Sequence, residues 1–207
     1  MNQYIEIIKV FYNDPIKVCS IHEISKLLSK PYGTTYNYVQ SLIKEQVLKA
    51  VVQGKATLCS LNFENQKAIE LLSIFSVYEK EYFTKKQGVL SQALNELAVR
   101  VNEKSNYGIF ALVLFGSTVT GAATAKSDID LFFISLSKDK YDKIIENECN
   151  VLRMSYGRDI NSIITEPKMY INMLKEREEN VAKQILKNKV IYFGANKFWE
   201  LTFGGLK

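Results

Sequence analysis

Apolar residues follow two patterns along this chain, one with helical spacing and one made of continuous runs. Apolar positions three and four residues apart predict amphipathic helices, and the helices expected on this basis cover about 3–12, 20–29, 34–44, 64–83, 87–105, 138–156, 169–174 and 180–186. Continuous apolar runs predict buried strands at 109–115 and 128–136, with further strands at 160–165 and 190–194. The chain is therefore expected to mix helices and strands.

Turn and capping residues mark the limits of several elements. Ser20 followed by Glu23 predicts a capping box, in which each residue's side chain accepts a hydrogen bond from the other's backbone N–H, at the start of the second helix. Residues 53–55, with a central glycine between apolar runs at 47–52 and 56–61, predict a tight β-hairpin.

The first 63 residues combine three helices with this hairpin, an order that resembles a winged helix-turn-helix module. The resemblance implies that the third helix enters a major groove of duplex DNA while the hairpin contacts a phosphate. The outward polar residues expected to touch DNA are Thr34, Thr35, Asn37, Gln40 and Lys44 on the helix and Lys55 on the hairpin. Because no arginine precedes Arg100, a module for homodimerisation or protein contact stays open as an alternative.

The chemistry-bearing stretch lies around the two longest apolar runs. The first run stops at Gly116 and Ser117, which predicts a strand turning into a helix over about 117–124, whose free N–H groups can hold a phosphate. The second run begins with Asp128 and Asp130, whose side chains share one face of a strand. Two carboxylates on one face can share a divalent cation.

Gly-Ser, a ten-residue gap and Asp-x-Asp, in the order strand, turn, helix and acidic strand, resemble the DNA polymerase beta-like nucleotidyltransferase superfamily, in particular its minimal members. The resemblance covers about 87–194. It implies that Asp128 and Asp130 bind Mg²⁺ (or Mn²⁺) and that Gly116 and Ser117 grip the phosphates of a nucleoside triphosphate, ATP in the first instance. Gly121 and Ser127 are further nucleotide-binding candidates in the same segment, and Lys126 beside them is expected to line the pocket.

A third carboxylate, which the family carries on the next strand, is not in the corresponding place. The pattern puts it near Asn161 or Ser162, where this chain has no acid. Asp159, slightly earlier, is the substitute catalytic candidate if the strand begins sooner or is bulged, and it is otherwise a turn residue. Arg158 is either a phosphate clamp or a surface residue.

Composition narrows the class of protein without naming a substrate. The 207 residues are 47% hydrophobic and 24% charged, with a formal net charge of +5, as in a globular protein compatible with nucleotide or nucleic-acid partners. No apolar run reaches the roughly 20 residues of a membrane span, and no signal peptide is visible, so we expect a cytoplasmic protein with no membrane partner. Cys19, Cys59 and Cys149 lack the spacing of a zinc site.

Together these patterns predict an α+β protein. The expected parts are a winged helix-turn-helix at 1–63, a connecting helix at 64–86 and, at 87–207, a polymerase beta-like nucleotidyltransferase α/β domain with a small mixed sheet.

The leading functional hypothesis is Mg²⁺-dependent transfer of a nucleoside monophosphate, AMP, from a nucleoside triphosphate to a hydroxyl. The ten-residue gap also resembles nucleotidyltransferase antitoxins that adenylylate a partner toxin, which implies a protein tyrosine as one acceptor. The alternatives are a DNA-binding transcriptional regulator whose second domain only binds nucleotide, and a structural interaction domain.

Overall fold

The computed structural model describes residues 3–124 and 127–207 of the chain. The chain divides into two compact units with a boundary between Phe75 and Ser76, and the last two residues, Leu206–Lys207, belong to the first unit. Among the described helices, none has both the length and the apolar character that crossing a bilayer requires.

The first unit contains three helices and a three-stranded sheet. Its elements are α1 (Gln3–Lys9), β1 (Cys19–Ser20), α2 (Ile21–Leu27), α3 (Tyr32–Lys44), β2 (Leu48–Gln53), β3 (Ala56–Leu61) and the start of α4 (Gln66–Lys86). The strands are antiparallel in the order β1-β3-β2. The predicted hairpin is confirmed, with Gly54 at a positive φ of 60° in its turn. The capping box of Ser20 and Glu23 is confirmed at the start of α2.

The phase of α3 differs from the prediction at one candidate DNA-contacting residue. The expected outward position of Thr35 is wrong, because Thr35 is buried together with Val39 and Leu42. These positions, four and three residues apart, form one helical face, and the Thr35 hydroxyl donates to the Pro31 carbonyl at 3.1 Å. The other residues predicted to contact DNA are accessible to solvent. Gln40 is half-buried, and the exposed ones are Thr34, Asn37, Lys44 and Lys55.

The second unit holds the other predicted strands. Its elements after α4 are α5 (Gly88–Lys104), β4 (Ile109–Phe115), α6 (Ser117–Thr120), β5 (Ile129–Ser135), α7 (Lys138–Tyr156), β6 (Ile160–Thr165), α8 (Pro167–Lys175), α9 (Val181–Lys187), β7 (Lys189–Phe193) and α10 (Ala195–Leu206). The predicted bounds of β4, α7 and β6 agree with the structure. The helix predicted over 117–124 is wrong in length, since α6 ends at Thr120 and Gly121 follows it in a left-handed conformation.

These strands form a mixed four-stranded sheet in the order β6-β5-β4-β7. β4 is antiparallel to both β5 and β7, and β5 is parallel to β6. One face buries apolar residues such as Leu114 and Leu131 against α5 and α7. On the opposite side Phe132 contacts Tyr170 of α8, with ring centroids 5.8 Å apart. The expected α+β fold with a small mixed sheet is confirmed.

Candidate active site

A glycine turn and an acidic side chain meet where β4 ends. Gly116 has φ 74° and ψ −154°, a conformation that is essentially confined to glycine. A Cβ at this position would lie 2.2 Å from Asp130 Oδ2, so only a residue without a side chain fits. The register explains the proximity, because Phe115 pairs with Asp130 across β4 and β5. The structure therefore brings Gly116 and Asp130 together.

α6 is too short to act as a helix dipole, and its turn is held by local hydrogen bonds instead. The Gly116 carbonyl accepts from Val119 N at 3.2 Å and from Thr120 N at 3.3 Å. Ser117 is half-buried, whereas Gly121 is exposed with open space where a Cβ would be. Ser117 thus lies at the turn, and no atom of the described residues lies within 4 Å of a Cβ built at Gly121.

Asn161 contacts Asp130 on the side of the next strand. Asp130 pairs with Asn161 in the parallel register of β5 and β6, and Asn161 Nδ2 donates to Asp130 Oδ1 at 2.9 Å. The position where the resemblance expects a third carboxylate is therefore occupied by a neutral amide. The amide nitrogen donates a hydrogen bond to one oxygen of Asp130, Oδ1, and the other oxygen, Oδ2, faces Gly116.

Arg158 holds the backbone that carries the first acid. Its guanidinium donates from Nε to the Ser127 carbonyl at 2.8 Å and from Nη2 to the Asp128 carbonyl at 3.3 Å. Nη2 also reaches Thr118 Oγ1 at 3.4 Å, which ties the start of β5 to α6. Arg158 is therefore a half-buried positioning residue at the entrance of β5, a role that the sequence did not predict.

Asp159 forms an ion pair with an arginine of α7. Its side chain is 77% exposed, and its Oδ1 lies 3.6 Å from Arg153 Nε. Within 3–124 and 127–207, no three His, Cys, Asp or Glu side chains gather closely enough to hold a metal ion. Asp130 thus lies at the Gly116 turn, and Asp128 is two residues earlier in the chain, immediately before β5.

The Ser127 side chain forms a hydrogen bond with the loop that precedes β5. Its Oγ accepts a hydrogen bond from Thr124 N at 2.9 Å, an arrangement by which a serine side chain fixes nearby backbone. The predicted pocket residue Lys126 lies outside the described residues.

A cavity of about 280 Å³ opens beside the Gly116–Ser117 turn. The lining residues are Phe115, Gly116, Ser117 and Thr120 on one side and Glu179, Gln184, Lys187 and Asn188 on the other. The second wall belongs to α9 and its flanking residues, which sequence analysis did not connect with the site. Only the pairing of β4 with β7 brings that wall to the turn, since Phe115 lies opposite Lys189.

Lys189 fixes the end of α9, which forms part of this second wall. Its side chain is buried, its Nζ donates to the Leu186 carbonyl in the last turn of α9 at 2.9 Å, and it lies 4.8 Å from the centre of the Trp199 ring. Burial lowers the pKa of Lys189 well below its ordinary value, although Glu79 acts in the opposite direction. The end of α9 is thereby fixed to the sheet.

The geometry joins a glycine turn to the Asp130 carboxylate, and a cavity with a lysine on its far wall opens beside the same turn. Carboxylates are hard oxygen ligands of Mg²⁺, and a hydroxyl with an ammonium group suits phosphate oxygens.

Comparison with known proteins agrees with this chemistry. Residues 100–197 match a family model described as Polymerase beta, Nucleotidyltransferase, and this range includes both carboxylates, the glycine turn and the cavity. Searches of curated proteins and of solved structures found no match. The match supports the polymerase beta-like nucleotidyltransferase superfamily for this segment and nucleotidyl transfer in general.

Proposed function

We propose that the chain is a nucleotidyltransferase that transfers AMP from ATP to a hydroxyl acceptor. The observation that carries the proposal is the contact between the Gly116 turn and Asp130, where a methyl group would lie 2.2 Å from the carboxylate. Nucleotidyl transfer requires phosphate oxygens and metal-binding carboxylates within a few ångströms of each other. A backbone turn pressed against an acid provides that proximity.

The two acids suit a divalent cation shared with the substrate. Mg²⁺ in nucleotide sites is commonly bound by one or two carboxylates together with phosphate oxygens and water, so Asp128 and Asp130 are a sufficient protein donor set. Asn161 fixes the orientation of Asp130 through Oδ1, and Arg158 fixes the backbone at Asp128. Mg²⁺ or Mn²⁺, when bound, would neutralise charge on the phosphates.

The phosphates themselves are proposed to lie along Gly116 and Ser117. The Ser117 hydroxyl can donate to a phosphate oxygen, and the cavity beside it extends the site away from the acids. The acceptor is proposed to be a protein tyrosine or a small molecule; the tyrosine is suggested by the ten-residue gap, which resembles that of the nucleotidyltransferase antitoxins.

Label transfer tests this function directly. The full chain is incubated with Mg²⁺, cell extract and ATP labelled on either the α- or the γ-phosphate. We expect the α-label to enter an acceptor while the γ-label is released, and we expect Asp128→Asn to abolish the transfer. Asp142→Asn, an exposed aspartate on α7, is the matched control. Transfer of the γ-label, or undiminished transfer by Asp128→Asn, would contradict the proposal.

A second candidate is a DNA-binding regulator whose nucleotidyltransferase-like domain only binds nucleotide. It is favoured by Asn161, which replaces the third carboxylate with an amide. On this hypothesis the first unit is a winged helix that contacts duplex DNA with α3 and the hairpin. Duplex binding whose affinity falls steeply with salt, and less steeply after Lys44→Ala or Lys55→Ala, would support it. Transfer activity without such binding would exclude it.

A further inference from the structure

The cavity at the glycine turn has an internal ion pair on its far wall. Lys187 Nζ lies 2.9 Å from Glu179 Oε1, and both residues line the cavity with Ser117. Their side chains are 61% and 50% exposed, so the pair is hydrated and weak. A cation held only by a hydrated carboxylate can exchange that partner for another anion at small cost.

The backbone on both sides of this pair is fixed, although the pair itself is not. Asn180 caps the start of α9 by accepting from Lys183 N at 3.3 Å, and its amide donates to the Met173 carbonyl at 2.7 Å. At the other end Lys189 donates to the Leu186 carbonyl. The base of Lys187 is therefore held at the cavity, and only its flexible side chain needs to move to meet a ligand.

We propose that Lys187 binds the terminal phosphates of the nucleotide and that Glu179 is an internal competitor for this lysine. The inference rests on the proposed function, because it assigns the cavity to the triphosphate. The Glu179 carboxylate holds the lysine until a phosphate oxygen replaces it. When a triphosphate enters, Lys187 moves from Glu179 to the phosphates, which carry more charge than one carboxylate.

This assignment predicts opposite effects for the two partners. Removing the lysine removes a phosphate ligand, whereas neutralising the glutamate releases the lysine and removes a negative charge from the wall of the cavity. A pair that only stabilised the loop would give similar, small effects on both sides. The effect should also depend on the number of phosphates, since AMP cannot reach as far along the cavity as ATP.

Calorimetric titration of the full chain with ATP and with AMP, in Mg²⁺, tests these effects. We expect Lys187→Ala to weaken ATP binding about tenfold or more and AMP binding much less, as for loss of one charge-assisted contact. Glu179→Gln should tighten ATP binding severalfold, and Lys187→Arg should keep most of the affinity. A folding defect cannot produce the gain expected for Glu179→Gln.

A second ion pair of the same length provides the control. Lys197 and Glu200 are also 2.9 Å apart, but they lie on α10 and do not line the cavity. Lys197→Ala and Glu200→Gln should leave ATP binding unchanged.

The outcomes separate this inference from the proposed function. If the wild-type chain binds no nucleotide, both are overturned. If it binds ATP and loses affinity in Asp130→Asn, but binds equally well in Lys187→Ala and Glu179→Gln, the inference alone is overturned. Equal weakening of ATP and AMP by Lys187→Ala would also overturn it, because the lysine would then not contact the terminal phosphates.

Discussion

Two sets of acids in the second unit, Glu148 on one hand and Asp128 with Asp130 on the other, differ in the positive charge that surrounds them. Glu148 of α7 has a side chain only 3% exposed, with Arg100 Nε at 2.7 Å and the Lys104 ammonium on its other oxygen. Asp128 immediately precedes β5 and Asp130 is its second residue. Among the described residues no Lys, Arg or His forms an ion pair with either acid. Asp130 receives a neutral amide from Asn161 instead.

The difference separates a structural acid from candidate catalytic ones. Glu148 is neutralised within the chain, so it can join α5 to α7 without any ligand. On our proposal, the positive charge that compensates Asp128 and Asp130 arrives with the divalent cation and its nucleotide. The location of the compensating charge, more than burial alone, thus distinguishes the two groups.

The largest expected effect comes from removing the charge of Glu148. Glu148→Gln leaves Arg100 and Lys104 facing a neutral amide. We expect the free energy of unfolding to fall by about 3 kcal/mol, because two charge-assisted hydrogen bonds to a buried carboxylate, each worth roughly 1.5 kcal/mol or more, are weakened. Urea unfolding measures this loss. Glu146→Gln, at an exposed position of the same helix, should change little.

That variant also tests the division between the two groups. If Mg²⁺ and ATP still raise the free energy of unfolding of Glu148→Gln, the structural role of Glu148 is separate from the site. Loss of nucleotide binding with full stability would contradict the comparison.

A smaller effect is expected when Asp130 is pushed away from the turn. Gly116→Ala combines a conformation that costs a non-glycine residue about 2 kcal/mol with a methyl group directed at the carboxylate. We expect lower stability in urea and loss of Mg²⁺-dependent ATP binding by calorimetry. Gly54→Ala is the matched control, since Gly54 has a positive φ of 60° in the hairpin of the first unit and no described atom lies within 4 Å of a Cβ built there. It should lose about 1 kcal/mol of stability but keep binding.

Adding an acid at the site should have a still smaller effect. Asn161→Asp replaces a donor that lies 2.9 Å from Asp130 Oδ1 with a like charge, at an expected cost of about 1 kcal/mol in solvent-accessible surroundings. Because added Mg²⁺ screens the new repulsion, it should restore the stability of this variant more than that of Asn161→Ala. Thermal unfolding against Mg²⁺ concentration measures both. The same response in the two variants would place the metal elsewhere.

Lowering the pH should gradually remove the stabilisation that Glu148 gains from Arg100 and Lys104. Burial acts to raise the pKa of Glu148, but hydrogen bonds from Lys104 and Arg100 outweigh it and hold the pKa below its ordinary value of 4.5. A lowered pKa in the folded state means that this stabilisation is complete above the unfolded value and is lost as the pH falls through the folded one. The stability difference between wild type and Glu148→Gln should therefore shrink below about pH 4.5. A constant difference down to pH 3 would exclude the linkage.

Features set by neighbouring residues could be predicted from the sequence. The Ser20 and Glu23 capping box depends on residues three apart, and the bounds of β4 follow from an apolar run that stops at Gly116. The end of β6 lies two residues before Pro167. The approach of Gly116 to Asp130 was expected from the resemblance, which assigns both residues to one phosphate and metal site.

Features set by tertiary register could not be predicted in this way. Thr35 was assigned to the wrong face because a one-residue error in helix phase rotates a side chain by about 100°. The bond between Asn161 and Asp130 requires the exact pairing of β5 with β6, and the place of Lys187 requires the pairing of β4 with β7. Burial of Glu148 could not be predicted, because the residues that neutralise it, Arg100 and Lys104, lie more than 40 residues away in the chain.

The most direct test of the central claim is the stability of the full chain with and without Mg²⁺ and ATP. A ligand that binds only the folded state at a hundredfold excess over its Kd raises the free energy of unfolding by about 2.7 kcal/mol. We expect this gain in the wild type only when both Mg²⁺ and ATP are present. Asp130→Asn should abolish the gain, whereas Asp159→Asn, whose side chain is paired with Arg153, should retain it. No gain in the wild type, or an equal gain in Asp130→Asn, would contradict the account.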